Sequence, residues 1–252
     1  MGEMNSSQHV LPADWPAPEN IRACTTLRTG GVSFNTFESW NLADHVADDA
    51  DSVFKNRTIL VDRLNIPTSP IWLQQVHGVN IFQVEPGVTK DLPTADGSYT
   101  DQKDLVCCVL TADCLPVLIT NIQGSEVAAI HAGWRGLAKG VVEVALKQFN
   151  SKREDLLVWL GPAIGPEVFE VGEEVRSAFL CHDPDAHKAF MRSKNDTLLA
   201  NIYQLARQRL QIAGVTRVFG GDYCTFTEDD KFFSYRRHAI TGRMASLIWM
   251  QS

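Results

Sequence analysis

The sequence predicts an α+β fold, a single domain in which mixed β-sheets are flanked by helices. Two observations carry this. Strand-like segments follow one another through the first half of the chain, whereas helix-like segments stand between strands in the second half, an order that a regular doubly wound sheet does not give. A near-continuous apolar run over residues 105–120 implies strands covered on both faces. No linker, low-complexity tract or internal repeat divides the 252 residues, and a composition 44% hydrophobic and 21% charged supports one sizeable core. The domain is expected over 21–252, preceded by a loose polar, proline-rich arm over 1–20.

In chain order, residues 21–27 (IRACTTL) have strand composition and end at the Gly30-Gly31 turn signal. The segment GGVSFNTFESWNL shows neither helical nor alternating period and reads as a long structured loop, a class that often carries function. A helix follows, with Asp51 as N-cap and an apolar stripe of Val53, Phe54, Ile59, Leu60 and Leu64. Residues 71–76 (IWLQQV) form a strand running into His77-Gly78, and 79–84 form another. Pro86, Gly87, Pro93 and Gly97 mark a loop. The stretch 105–136 reads as apolar strands broken by a turn over 121–125. Beyond it come a helix over 138–149, a strand over 156–160, helices over 172–182 and 197–213 with Gly214 just past the second, a short strand over 216–219 and a last apolar strand.

The net charge of -7 makes nucleic-acid wrapping a poor expectation. No run reaches the roughly 18 apolar residues of a membrane helix, and the N-terminus lacks the pattern of a secretory signal. The six cysteines are too dispersed for a disulfide scaffold, so reduced thiols in the cytoplasm are expected.

Chemistry concentrates at strand ends. If 115–120 and 126–130 form a hairpin, paired residue numbers sum to 245 or 246. The first register sets Cys114 opposite His131 on one face, with Cβ atoms roughly 5 Å apart; the second turns them to opposite faces. His77, also at a strand end and followed by glycine, is the natural third member. Two histidines and a cysteine leave a fourth position for water or substrate, as catalytic zinc is held. Alternatively, Cys114 is a thiolate nucleophile with His131 as its base; Asp113, its chain neighbour, would point the other way along a strand. Arginines form a second group: Arg28, Arg135, and the cluster Arg236, Arg237 and Arg243, all suited to phosphate or carboxylate. Arg28, Arg135 and Arg236 are the candidates for a phosphate cradle. Trp134 is placed to stack on a base or to sit in the core. The remaining histidines lie in loops, the arm or an acidic stretch, and no H-x-H pair occurs.

The stretches TTLRTGGVS (25–33), QVHG (75–78), ADG (95–97), TADCLPVL (111–118), HAGWRG (131–136), LGPAIGP (160–166), FEVGEEV (169–175), FFSYRR (232–237) and TGRMASLIW (241–249) resemble the YfiH family, also called laccase-domain or polyphenol-oxidase-like, which includes vertebrate FAMIN. The resemblance runs from about residue 20 to the C-terminus. It implies mixed sheets distantly related to toxin deamidases and a metal centre at His77, Cys114 and His131, with zinc the usual ion and copper an older assignment. It also implies phosphorolysis of adenosine, inosine, guanosine and methylthioadenosine, with hydrolytic deamination of adenosine; purine nucleoside and phosphate are then the partners. Editing of peptidoglycan precursors is the alternative activity. Copper-dependent polyphenol oxidation fits least, since multicopper sites draw on many histidines and this chain has 7. Two departures, Ala47-Asp48-Asp49 for the family's GDD and His238 for a usual acidic residue, lie outside the metal triad and bear only on substrate preference.

Overall fold

The computed structural model describes residues 9–87, 92–193 and 196–252. Its centre is built from the apolar runs. Strands β5 (Val106–Thr111), β6 (Leu115–Asn121), β7 (Val127–Ala132) and β13 (Met244–Met250) are buried along their whole lengths. A strand covered on both faces needs a layer on each side, and two sheets packed face to face supply it. One has four strands, in the order β1 (Val10–Pro12), β2 (Ile21–Thr26), β13 and β5, all antiparallel. The other has six, in the order β12 (Arg217–Gly220), β8 (Leu156–Leu160), β6, β7, β4 (Gly97–Thr100) and β3 (Ile81–Gln83). It is mixed: its outer pairs β12/β8 and β3/β4 are parallel and the rest antiparallel. The fold is α+β, as the element order predicts.

Alternation along the strands assigns the layers. Cys107 and Val109 of β5, with Ile248 and Met250 of β13, meet Leu118, Val127 and Ala129 of the six-stranded sheet in one buried cluster. The intervening residues face outward. Cys108, Leu110 and Leu247 pack under Trp40 of the preceding loop and under Leu60 of helix α1 (Ala50–Leu64). On the far side, Val117, Ile119, Ala128 and Ile130 are covered by α2 (Trp134–Lys139), α3 (Val141–Leu146), α4 (Glu173–Leu180) and α5 (Ile202–Ile212). The result is helix, sheet, sheet, helices. A small antiparallel sheet of β9 (Glu170–Val171), β11 (Leu198–Ala200) and β10 (Phe190–Arg192) borders the last layer.

Several expectations are corrected. The arm is not loose from Val10 onward: residues 10–12 pair with 24–26 and add an edge strand, while residues 1–8 lie outside the described part. Asp49, not Asp51, caps α1, its carboxylate accepting from Ser52 N. Residues 71–76 make only isolated bridges, Ile71 to Cys107 and Gln74 to Thr94. The Gln75 side chain takes over the ladder's work by exchanging hydrogen bonds with both backbone groups of Leu110. The helix expected over 138–149 is two helices starting at Trp134, because Gly140 adopts φ 94° between them. The helix expected over 197–213 begins later: residues 198–200 are strand, and Asn201 caps α5 by accepting from Gln204 N.

The hairpin register matches neither sum. Leu115 pairs with Ala132 and Pro116 with His131, a sum of 247. Because the side-chain period is two, a shift of two residues from the first register keeps Cys114 and His131 on the same side, now as diagonal rather than direct neighbours.

Candidate metal centre

His77, Cys114 and His131 meet at one end of the layer between the sheets, their ligand atoms all within 4.8 Å of one another. Each arrives by a different local device. His131 is the penultimate residue of β7 and is buried. Cys114 lies in the three-residue crossing from β5 of one sheet to β6 of the other. That crossing is bent by Asp113 at φ 87°, a left-handed conformation uncommon outside glycine and met most often by Asn, Asp and His. Asp113 is fixed there by accepting from Thr225 Oγ1 at 2.6 Å and from Arg236 N at 2.6 Å. His77 also has positive φ, 57°, and stands in a loop open to solvent.

Asp96 joins these parts. Its carboxylate, fully buried, accepts from His77 N at 2.8 Å and Gly78 N at 2.6 Å, and lies 2.9 Å from His131 Nδ1. The register explains the last contact: Gly97 pairs with Ile130, so Asp96 falls beside His131, whose N–H also donates to the Asp96 carbonyl at 2.7 Å. A carboxylate can only accept, so Nδ1 carries the proton and Nε2 keeps its lone pair for a ligand. Burial works to raise the Asp96 carboxyl, but the His131 hydrogen bond and the two backbone N–H groups outweigh it and hold the acid below the usual carboxylate range. In the sequence Asp96 carries no signal beyond its Ala-Asp-Gly turn.

The donor set fits a metal ion. Cys114 Sγ lies 3.8 Å from His77 Nε2, against roughly 3.5 Å for two ligands of one tetrahedral zinc. The two imidazoles stand edge to face, with centroids 4.7 Å apart. A Cβ placed on Gly133 would come within 2.9 Å of His77 Cδ2 and 3.0 Å of Cys114 Sγ, so the glycine keeps open the space the ligands surround. The thiol is poised for ligation. Burial pushes Cys114 up, yet the His131 charge and hydrogen bonds from both histidines bring it well below the ordinary thiol value; His131, lowered by burial, is raised overall by Cys114 and Asp96. Asp96 to His131 is the carboxylate–histidine arrangement that orients metal-bound imidazoles. Among the described residues this is the single group of three such ligands.

The same contacts complete a Cys114–His131–Asp96 line. Asp113, which the sequence turns away from this line, bonds Thr225 and Arg236 N instead, and Asp96 stands in the third place.

Beside the centre is a cavity of about 450 Å³ lined by Trp134, Arg135, Phe169, Glu170, Thr197 and Arg236 among others. Its lining reaches residues next to the centre: Trp134 follows Gly133, and Arg236 donates its backbone N–H to Asp113. Arg135 lies over the Trp134 ring at 4.4 Å, and Arg236 over Phe169 at 5.7 Å. Arg28 is placed elsewhere. Its guanidinium donates to the carbonyls of Glu38 and Asp229 and lies over Phe233, outside that cavity.

Fold and centre together define an α+β protein with one His–Cys–His ligand set at the joint of two packed sheets. Residues 22–251 match the family described as multi-copper polyphenol oxidoreductase laccase, and the chain belongs to that family. Purine nucleoside phosphorylase YfiH of Escherichia coli (strain K12) is 51% identical over 246 residues, covering 97% of this chain and 99% of the relative. A purine nucleoside phosphorylase of Haemophilus influenzae is 49% identical over 244 residues, covering 96% and 99%. The crystal structure of a Neisseria meningitidis protein matches with TM-score 0.93 at 42% identity, covering 97% and 100% of the two chains. That of YlmD from Geobacillus stearothermophilus matches with TM-score 0.88 at 27% identity, covering 100% and 98%. Among the described residues no helix is long and apolar enough to cross a membrane.

Proposed function

We propose that this chain is a purine nucleoside phosphorylase that holds zinc at His77, Cys114 and His131 and also deaminates adenosine. The observation that carries the reading is the convergence of those three residues around Gly133, next to a cavity with two aromatic rings and two guanidinium groups. The relatives named purine nucleoside phosphorylase support it. In phosphorolysis a phosphate oxygen bonds to C1′ of the ribose as the C1′–N9 bond breaks, and the purine leaves with the electron pair and takes a proton. The step needs a held anion and an environment that stabilises positive charge on the ribosyl group. Arg135 and Arg236, both at the cavity, draw phosphate in. Trp134 and Phe169 offer flat apolar faces to a purine. Asp96 keeps His131 in one tautomer and ties down the backbone of His77, so the ligand set is ordered before substrate arrives. Bound zinc would supply a Lewis acid and, for deamination, activation of water.

Incubating the purified protein with inosine, with and without phosphate, tests the main activity. Hypoxanthine should form only when phosphate is present; none with metal-loaded protein rejects the reading. Adenosine converted to inosine without phosphate is the expected sign of deamination.

The Cys114–His131–Asp96 line favours a second reading, a thiol-dependent hydrolase of the kind that would edit a peptidoglycan precursor. In that mechanism His131 takes the thiol proton while Asp96 holds the imidazole. Hydrolytic activity that survives full chelation and is abolished by alkylation of Cys114 would select it over the metal.

A further inference from the structure

Of the arginines near the centre, the one that is part-buried and keeps two donors free of hydrogen bonds among the described residues is Arg243. It immediately precedes β13, whose first residue Met244 pairs with Thr111. Continuing that register sets Arg243 beside Ala112, within the crossing that ends at Cys114. Its backbone is fixed on both sides: its N–H donates to Asn41 Oδ1 at 2.9 Å, and its carbonyl accepts from Leu42 N. Nη1 donates to the carbonyls of Thr241 and Gly242 at 2.7 and 3.1 Å, which holds the guanidinium close to its own loop. Nε and Nη2 make no hydrogen bond among the described residues and are not sealed from solvent. The group is part-buried; burial lowers its pKa overall, with Cys114 and Asp113 opposing in part. Asp113 does not occupy it: its carboxylate accepts from Thr225 and Arg236 N and makes no hydrogen bond to Arg243.

The other arginines are more committed or more exposed. Arg237 gives its Nη atoms to the carbonyls of Thr225, Phe226 and Phe232. Arg236 spends Nη1 on Glu170 O, and both Arg135 and Arg236 are exposed. The loop between Arg236 and Arg243 is thus anchored at one end on the neighbour of Cys114 and at the other on Asn41. The exposed Tyr235, which precedes this loop, lies under the Arg243 guanidinium, 5.7 Å from ring to Cζ. A pre-positioned guanidinium with two adjacent unspent donors is suited to grip two oxygens of one anion.

We infer that Arg243 is the phosphate-binding residue of this site, with Arg135 and Arg236 serving as the outer charges that draw the anion toward it. The inference rests on the phosphorylase reading above. Arg243→Lys keeps the charge and loses the two-donor fork; Arg243→Ala loses both. Each variant is compared with the unaltered protein by phosphate titration of inosine cleavage and, separately, by calorimetric titration of inorganic phosphate into the metal-loaded protein. The KM for phosphate should rise on the order of 10- to 100-fold in Arg243→Ala, the loss of hydrogen bonds to a charged group. Arg243→Lys should fall between, with the KM for inosine little changed in either. Thermal unfolding of both variants separates this effect from misfolding, and the lysine variant carries the test if alanine unfolds. Unaltered KM and Kd for phosphate in a folded variant, while the parent cleaves inosine normally, would overturn the assignment. A parent protein with no phosphate-dependent cleavage and no phosphate binding overturns the phosphorylase reading itself, and this inference with it.

Discussion

Asp96 shows how much one carboxylate can determine. It receives two backbone N–H groups from the His77 turn and the imidazole N–H of His131, so two of the three candidate ligands share a single buried anchor. Asn in its place keeps one carbonyl oxygen and turns the other partner position into a donor, which leaves either the turn or the imidazole misdirected. Asp96→Asn should therefore weaken metal binding on the order of 10- to 100-fold, measured by competition with a chelator of known affinity, while the far-ultraviolet circular dichroism stays that of the parent. At this scale the sequence was partly legible. His77, Cys114 and His131 could be singled out because reactive side chains at the ends of apolar strands are unusual. Asp96 could not, because an Ala-Asp-Gly turn is common and its importance comes from a pairing with His131 that lies 35 residues away.

The elements explain where the sequence was readable and where it was not. Strand β8 was found at its true limits because five consecutive apolar residues admit few alternatives. The segment 71–76 has the composition of a strand, yet two glutamines in it bond to backbone and side chain across the gap and replace a regular ladder. Gly140 divides what the apolar spacing alone made one helix. A Cβ there would meet φ 94° together with contacts at 3.4 Å to Arg209 Nη2 and Glu143 Oε2, so Gly140→Ala should cost about 1–2 kcal/mol in urea unfolding. Glu126 does comparable work at the other end of the hairpin. Its buried carboxylate accepts from Tyr99 of β4, from Asn121 at the end of β6, and from Asn150 and Ser151 beyond α3. Burial tends to raise this acid, but those donors outweigh it and hold it below the usual range. An acid depressed by folding stabilises the protein above its unfolded value of about 4.3 and loses that contribution as pH falls through the folded value. Glu126→Gln should destabilise by about 2–3 kcal/mol at pH 7, and the gap between variant and parent should narrow below pH 4.3 or so when unfolding is followed across pH.

At the scale of the whole molecule, the layer order followed from alternation once the strands were placed, but the choice of which strands share a sheet did not. Strands β5 and β6 are nearly adjacent in sequence, invite reading as one continuous pair, and belong to different sheets. The ligand set draws on the segment between them and on two parts of the six-stranded side, so a bound ion closes a contact between distant parts of the chain. Binding to the native state alone adds stability by mass action. Exhaustive chelation should lower Tm by roughly 5–10 °C relative to protein held at about 100 times the metal's Kd, and restoring zinc should recover it; an unchanged Tm would mean that no ion is held there.

The crossing that carries Cys114 also has a mechanical consequence. Because that cysteine rides on the crossing between the two sheets while His131 belongs to the six-stranded one and shares Asp96 with His77, the spacing from the sulfur to the His131 nitrogen measures how the sheets sit on each other. Side chains that never approach the centre then act as its gauge. Ile248, fully buried in the layer between the sheets, is one. Trimming it to alanine leaves a void that the sheets can close only by shifting, at a cost of about 2–5 kcal/mol. Metal affinity should fall along with stability in Ile248→Ala, whereas an equal loss of stability from Leu146→Ala, a fully packed residue under the outer helices, should leave the affinity of the folded protein close to that of the parent.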